Sequence, residues 1–195
     1  MKFINQKIVV FFWRLIVSCP LGFHNILRDL FFYFLKNPNL KRNIFSKKNI
    51  DVVFPSLNKK EKRNLYNKNI RSMIRGLFDT GKAWFWSDSK INSFLTYEIS
   101  GLDKLNSARG NLLIFKHSHH LELDSRILGM HCELYGVERV HNSTFMQKVQ
   151  STGRLRGLIA LADKNKPITF IKWLKKGKTV LYAIDQDYGL KNSIN

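Results

Sequence analysis

The chain has 195 residues, is 44% hydrophobic and 13% aromatic, and contains fifteen Phe; this excludes a disordered chain and is enough for one domain with a core of its own. A formal charge of +19 and a pI near 10.1 call for an anionic partner: nucleic acid, an anionic membrane face, a phosphorylated lipid or an acidic carrier protein. With no zinc-finger spacing, no RNP-type aromatic motif and no heptads after a basic region, the sequence offers nothing for nucleic acid and leans toward membranes and acidic substrates.

Residues 8–17 (IVVFFWRLIV) and 21–35 (LGFHNILRDLFFYFL) are nearly continuous in apolar and aromatic character, interrupted by Arg14, Pro20, His24, Arg28 and Asp29. A spanning helix needs about 20 apolar residues. The pattern therefore predicts an N-terminal anchor over residues 1–36, as one interrupted membrane helix or as a helix pair lying partly in the interface. A buried amphipathic helix is the alternative. No small-residue cleavage site follows, so this is not a cleaved leader. Lys36, Lys41, Arg42, Lys47 and Lys48 come next, placing everything after residue 36 on the cytoplasmic side and facing anionic head groups. Cys19 and Cys132 sit in unlike contexts, which argues against a disulfide framework.

Residues 43–57 lead through Pro55 to an N-cap at Ser56 or Asn58 and a basic helix from about 59 to 80. Its apolar positions, Leu65, Tyr66, Ile70, Met73, Ile74, Leu77 and Phe78, recur at helical spacing and are assigned to the core. GKAWFW at 81–86 reads as packing, or as an acyl-chain or membrane contact. Phe94 to Ile99 reads as a strand, followed by a turn and short helix at Gly101 to Leu105.

The stretch Gly110 to Gly129, GNLLIFKHSHHLELDSRILG, opens with a short buried strand, Leu112 to Phe115. Lys116, His117, His119, His120, Glu122, Asp124 and Arg126 then crowd beyond its end, where open α/β sheets carry their sites. His117 with Glu122, and His119 with Asp124, are both five apart. In one helix that spacing turns roughly 500°, so such a pair meets only if the His lies on the loop and the acid in the first helical turn. There the acid accepts the imidazole N–H, and the other ring nitrogen takes a proton from a hydroxyl as a general base. A metal site and an ordinary polar loop are the competing readings, although no other ligand cluster has zinc-like spacing.

Arg139 to Asn142 (RVHN) follows another strand, and residues 143–157 read as a helix running to Gly153 and a basic RLR. Arg154 and Arg156 are either forked phosphate donors or solvated surface charges. An amphipathic helix at 168–176 is closed by Gly177 at C′. Thr179 to Ile184 is a further buried strand, ending in Asp185, Gln186, Asp187, Tyr188 and Gly189. Strands with polar clusters at their C-terminal ends, joined by helical crossovers, predict an α/β fold with a mostly parallel or mixed sheet, flanking helices and a site along one edge.

Seven blocks in this order, KKNIDVVFPSL, DTGKAWFW, HSHHLELDSRILG, RVHN, QSTGRLRG, LKKGKTV and DQDYG, resemble the late acyltransferases of lipid A biosynthesis, within the wider lysophospholipid-acyltransferase-like group. The resemblance implies a glycerolphosphate-acyltransferase-like domain over residues 37–195, following the anchor. Its motif, a His, four residues and an acid within LEL, selects His117 as base and Glu122 as its orienting acid, and places Arg139, Arg154, Asp185 and Asp187 in substrate-binding blocks. It also implies an inner-membrane protein facing the cytoplasm, an acyl carrier protein thioester as donor, Kdo-lipid IV(A), a phosphorylated glycolipid, as acceptor, and neither metal nor cofactor. A lysophospholipid or glycerol-phosphate-type acyltransferase, and a non-catalytic basic membrane-binding remnant, are the rival readings. Val140 and Ile184 stand where the family has Pro. Members of the family continue beyond DQDYG, so the resemblance implies a chain incomplete at its C-terminus, as a fragment or truncated product, with an uncovered sheet edge.

Overall fold

The N-terminal half is helical and organised around one long element. The computed structural model describes residues 2–37, 39–105 and 109–185, with side chains from residue 6. Helix α1 (Lys2–Ser18) and helix α2 (Leu21–Leu35) are separated at Pro20, whose ring disfavours helical backbone at Cys19. The structure thus has a helix pair where the sequence also allowed one interrupted span. Among the described residues no helix is long and apolar enough to cross a membrane. Helix α3 (Lys41–Val53) comes next, then α4 (Lys59–Phe85) and α5 (Asp88–Phe94).

Helix α4 starts where its capping chemistry says it should. Asn58 Oδ1 accepts from the backbone N–H groups of Lys60 and Glu61, and Glu61 returns a bond to the Asn58 N–H at 2.8 Å. It runs past the expected end at residue 80 and takes most of GKAWFW into its last turns. One face buries Tyr66, Ile70, Met73, Ile74 and Phe78 under Ile16, Leu27, Phe31, Phe32 and Leu35 of α1 and α2. Ile74 is almost wholly buried, contributing about 1.5–3 kcal/mol. Toward its C-terminus α4 turns to a second cluster, Val17, Ala83, Trp86 and Ile91 with Leu123 and Ile127. The indole N–H of Trp86 donates to the Val17 carbonyl, and Trp84 and Phe85 stand edge-on to Trp13 of α1, so the aromatic run mainly packs. Leu77 itself, expected in the core, is 51% exposed.

The strand expected at Phe94 to Ile99 does not form. Ser87 caps α5 by accepting from the Lys90 N–H, and the helix takes Phe94. Residues 95–100 join no strand ladder among the described residues, and Leu95, Tyr97 and Ile99 pack on the second cluster. The expected turn and short helix are present as a 3₁₀ turn at Leu102–Leu105.

The α/β half consists of β1 (Asn111–Phe115), α6 (Leu121–Gly129), β2 (Leu134–Glu138), α7 (Thr144–Arg154), β3 (Ala160–Asp163), α8 (Pro167–Lys175) and β4 (Thr179–Ala183). Gly177, at φ 74°, supplies the left-handed turn between α8 and β4. The four strands are all parallel, in the order β1-β4-β2-β3. The expected α/β class with flanking helices is therefore present. Leu134, Leu158 and Leu181 form a third core with Leu113, Phe115 and Leu128. Strand β1, expected to be buried, instead lies at the edge of the sheet among the described residues, with Leu112 and Ile114 exposed because β4 pairs with it on one side.

Candidate active site

Because the strands are parallel, their C-terminal ends meet along one rim. Phe115 of β1 pairs in register with Ala183 of β4, so residues two further along each chain, His117 and Asp185, leave the sheet side by side. The imidazole Nδ1–H of His117 donates to Asp185 Oδ1 at 2.5 Å, and the His117 backbone N–H donates to Oδ2 at 2.8 Å. Both carboxylate oxygens are thus used on one residue. These hydrogen bonds hold the Asp185 carboxyl below the usual carboxylate range. With the proton on Nδ1, a neutral ring carries its lone pair on Nε2.

Glu122 and Asp124 lie in the first turn of α6, as the sequence predicts. Glu122, however, is engaged elsewhere. Arg154 approaches it with Nε at 3.1 Å from both oxygens and with a terminal nitrogen at 2.5 Å from Oε1; the Trp84 indole N–H donates to Oε2 at 2.9 Å. The other terminal nitrogen of Arg154 donates to Glu138 Oε2 at 3.0 Å. Burial acts to lower the Arg154 pKa, but the hydrogen bonds and charges of Glu122 and Glu138 outweigh it and raise the value. Glu138, buried at the end of β2, also accepts from Gln147, Gln150 and Ser151. Gly153 makes this possible, since a Cβ there would lie 2.3–2.7 Å from Trp84 atoms.

His117, Glu122, Arg139 and Arg154 all line one cavity of about 420 Å³, together with Glu138, Gln150 and the end of β4. The structure therefore brings His117 and Glu122 to a common space but bonds each to other partners. Among the described residues no hydrogen bond joins them, nor His119 to Asp124. Arg139 is exposed at the cavity's edge, and Arg156 donates instead to the Trp86 carbonyl. Asp187 lies outside the described residues. Among the described residues no group of three His, Cys, Asp or Glu is placed to hold a metal ion.

Outside the cavity lining a second contact fixes the loop. His120 Nδ1–H donates to Asp79 Oδ2 at 2.7 Å, and Lys82 Nζ donates to Asp79 Oδ1 at 2.7 Å. Asp79 is 5% exposed, so α4 presents a buried, neutralised carboxylate to the residue that caps α6. Burial lowers the His119 pKa, helped by Arg42 and His120, and burial raises that of Asp124. The sequence pattern does not single out Trp84, Glu138, Gln150 or Asp79 for the site. Glu138 had a usable signal, as a carboxylate closing an apolar strand. The others depend on packing between elements far apart in the chain.

This arrangement holds an oriented imidazole at a sheet rim, on a cavity walled by Arg154, itself bridged to two carboxylates, and by the exposed Arg139, a set suited to taking a proton from an alcohol. A sequence profile of the family described as bacterial lipid A biosynthesis acyltransferase matches residues 2–195. The chain is 35% identical over 164 residues to a lipid A biosynthesis palmitoleoyltransferase of Escherichia coli K12, covering 82% of this chain and 53% of that protein. It is 33% identical over 188 residues to a lipid A biosynthesis acyltransferase of Haemophilus influenzae, covering 93% and 59%. To a lipid A biosynthesis lauroyltransferase of E. coli K12 it is 36% identical over 151 residues, covering 75% and 49%. The chain spans about half the length of the curated relatives it matches.

Proposed function

We propose that this chain, which belongs to the bacterial lipid A biosynthesis acyltransferase family, moves an acyl group from an acyl carrier protein thioester to a hydroxyl on an acyl chain of the phosphorylated glycolipid Kdo-lipid IV(A). The observation that carries the reading is the two-point bond between His117 and Asp185 at the rim of a cavity lined by Arg154 and Arg139. His117 Nε2 takes the proton of the acceptor's 3-hydroxyl. The alkoxide attacks the thioester carbonyl, and the new C–O bond forms as the carbonyl π pair moves to oxygen. Cationic donors at the cavity wall meet that oxyanion. Collapse breaks the C–S bond, and the carrier thiolate recovers the proton from the imidazolium.

In this scheme Asp185 takes the orienting role that the sequence motif gives to Glu122. It fixes the Nδ1–H tautomer and stabilises the imidazolium. Glu122 holds Arg154 against the cavity, while Arg139 at its edge engages the acceptor's phosphates, and Asp187, in a block that the resemblance links to substrate binding, is assigned to the acceptor's hydroxyls. The exposed apolar side chains of α1 and α2, including Val9, Phe12, Ile26 and Phe34, together with the adjacent lysines, support a site at the cytoplasmic face of the bacterial inner membrane, against anionic lipid.

The test is transfer from an acyl carrier thioester to the phosphorylated glycolipid and, side by side, to a lysophospholipid. The expected result is turnover on the glycolipid that His117→Ala abolishes. An unaltered rate in His117→Ala would remove the imidazole from the chemistry, and preference for the lysophospholipid would assign the acceptor to the other class.

A further inference from the structure

A second concavity lies away from the strand rim, walled by the end of α2, by α3 and by the start of α4, with a volume of about 900 Å³. Among its described lining residues are five cations, Lys36, Lys47, Lys59, Lys62 and Arg63, against one carboxylate, Asp51. That carboxylate is already paired with Lys62 at 3.1 Å. The floor is apolar and aromatic, with Phe32, Ile50 and Tyr66. Lys47 Nζ stands 5.0 Å from the Tyr66 ring centroid and Lys36 Nζ 4.7 Å from that of Tyr33, so each ammonium rests on a ring. The walls are pinned to each other. Buried Asn43 of α3 donates through its amide to the carbonyls of Leu35 and Asn37, both at 2.6 Å.

We propose that this groove binds the head group of an anionic phospholipid, its phosphate among the lysines and Arg63 and its glycerol and upper chain along the aromatic floor. Three observations select a lipid over an acidic protein. The space is concave and of a size for a small amphiphile. Its lining combines excess positive charge with apolar rings, which matches an amphiphile's two ends. The helices forming its walls also carry Phe34 and Phe45 more than 60% exposed, continuing the apolar surface outward from the basic lining. The inference goes beyond the acyl-transfer reading and shares with it only the membrane contact, since the groove lacks His117, Glu122 and Arg154.

The test uses the full chain with phosphatidylcholine vesicles, with and without phosphatidylglycerol. Lys36→Gln with Lys47→Gln is compared with Lys172→Gln with Lys175→Gln on α8, which removes the same charge from exposed positions outside the groove. The groove pair should bind the phosphatidylglycerol vesicles roughly 30-fold more weakly, while the α8 pair stays near wild type. Both groove lysines are exposed, so the fold should survive; if circular dichroism says otherwise, Lys59→Gln with Arg63→Gln replaces them. Equal weakening by the two pairs, or no preference of the wild type for phosphatidylglycerol, would overturn the proposal. So would saturation of the groove by inorganic phosphate without vesicle affinity, or loss of acyl carrier protein binding in its place. Transfer to a detergent-dispersed acceptor, measured in parallel, reports separately on the active site.

Discussion

His117 and Asp185, 68 residues apart in sequence, are joined twice: ring Nδ1 to Oδ1 at 2.5 Å and backbone N to Oδ2 at 2.8 Å. Glu122, five residues from His117, is instead bound by Arg154 and Trp84. Asp185→Asn should therefore lower kcat by about 10²–10⁴-fold with little change in KM, because the amide no longer enforces the Nδ1–H tautomer. Glu122→Gln should cost mainly stability, about 1–3 kcal/mol, through its weakened bonds to Arg154. Steady-state kinetics with urea melts on both variants distinguish the roles; the reverse pattern would return the orienting role to Glu122.

Arg154 bridges two carboxylates, Glu122 and Glu138, of which Glu138 is 7% exposed. Arg154→Met leaves both acids without the cation they share. Loss of about 3–5 kcal/mol is expected from the shift in urea midpoint at neutral pH. Replacing Glu122 and Glu138 by Gln in the same background should recover part of it, since the uncompensated charge is then gone.

The Asp185 carboxyl is depressed because His117 donates to it from both ring and backbone. A carboxyl lowered on folding stabilises the fold above its ordinary pKa, about 3.9, and loses that contribution as pH falls through the folded value. Carbon-detected NMR of the Asp185 carboxyl should give a midpoint below the ordinary value, and His117→Ala should move it upward. A midpoint that ignores the substitution would mean the bond is not populated in solution.

His24 on α2 is 3% exposed, and neither ring nitrogen makes a well-formed hydrogen bond among the described residues. Burial and the charge of Lys82 lower its pKa, although the Ile16 and Cys19 carbonyls act the other way. Folding stability should then be fully present above the ordinary histidine value, about 6.5, and should fall as the unfolded chain gains a proton that the folded one resists. His24→Phe, whose ring can pack on Phe78, should flatten this dependence. Urea midpoints at about pH 7.5 and about pH 5.5 measure it.

Apolar runs bounded by turn residues made β1, β2 and β4 legible, and the Asn58 cap made the start of α4 legible, because these depend on local periodicity and local hydrogen bonds. Residues 94–99 alternate like a strand, yet the capping by Ser87 and the packing of Leu95, Tyr97 and Ile99 onto helices prevailed over that pattern. Helix α3 was not legible because its apolar residues do not gather on one face, and β3 is only four residues long. In the site, the strand-end positions of His117 and Asp185 were visible, but their pairing was not. It arises from β4 lying next to β1, and strand order is a property of the whole sheet.

Strand β4 lies between β1 and β2, and it is the partner β1 has among the described residues. During synthesis, therefore, β1 emerges well before the segment that completes its backbone bonding, and a ribosome must translate past Ala183 before the histidine loop meets its carboxylate. Such long-range pairing is slow relative to local helix formation. Until then the nascent chain holds an unzipped apolar ribbon, and any catalytic competence arrives late, with the insertion of a single central strand.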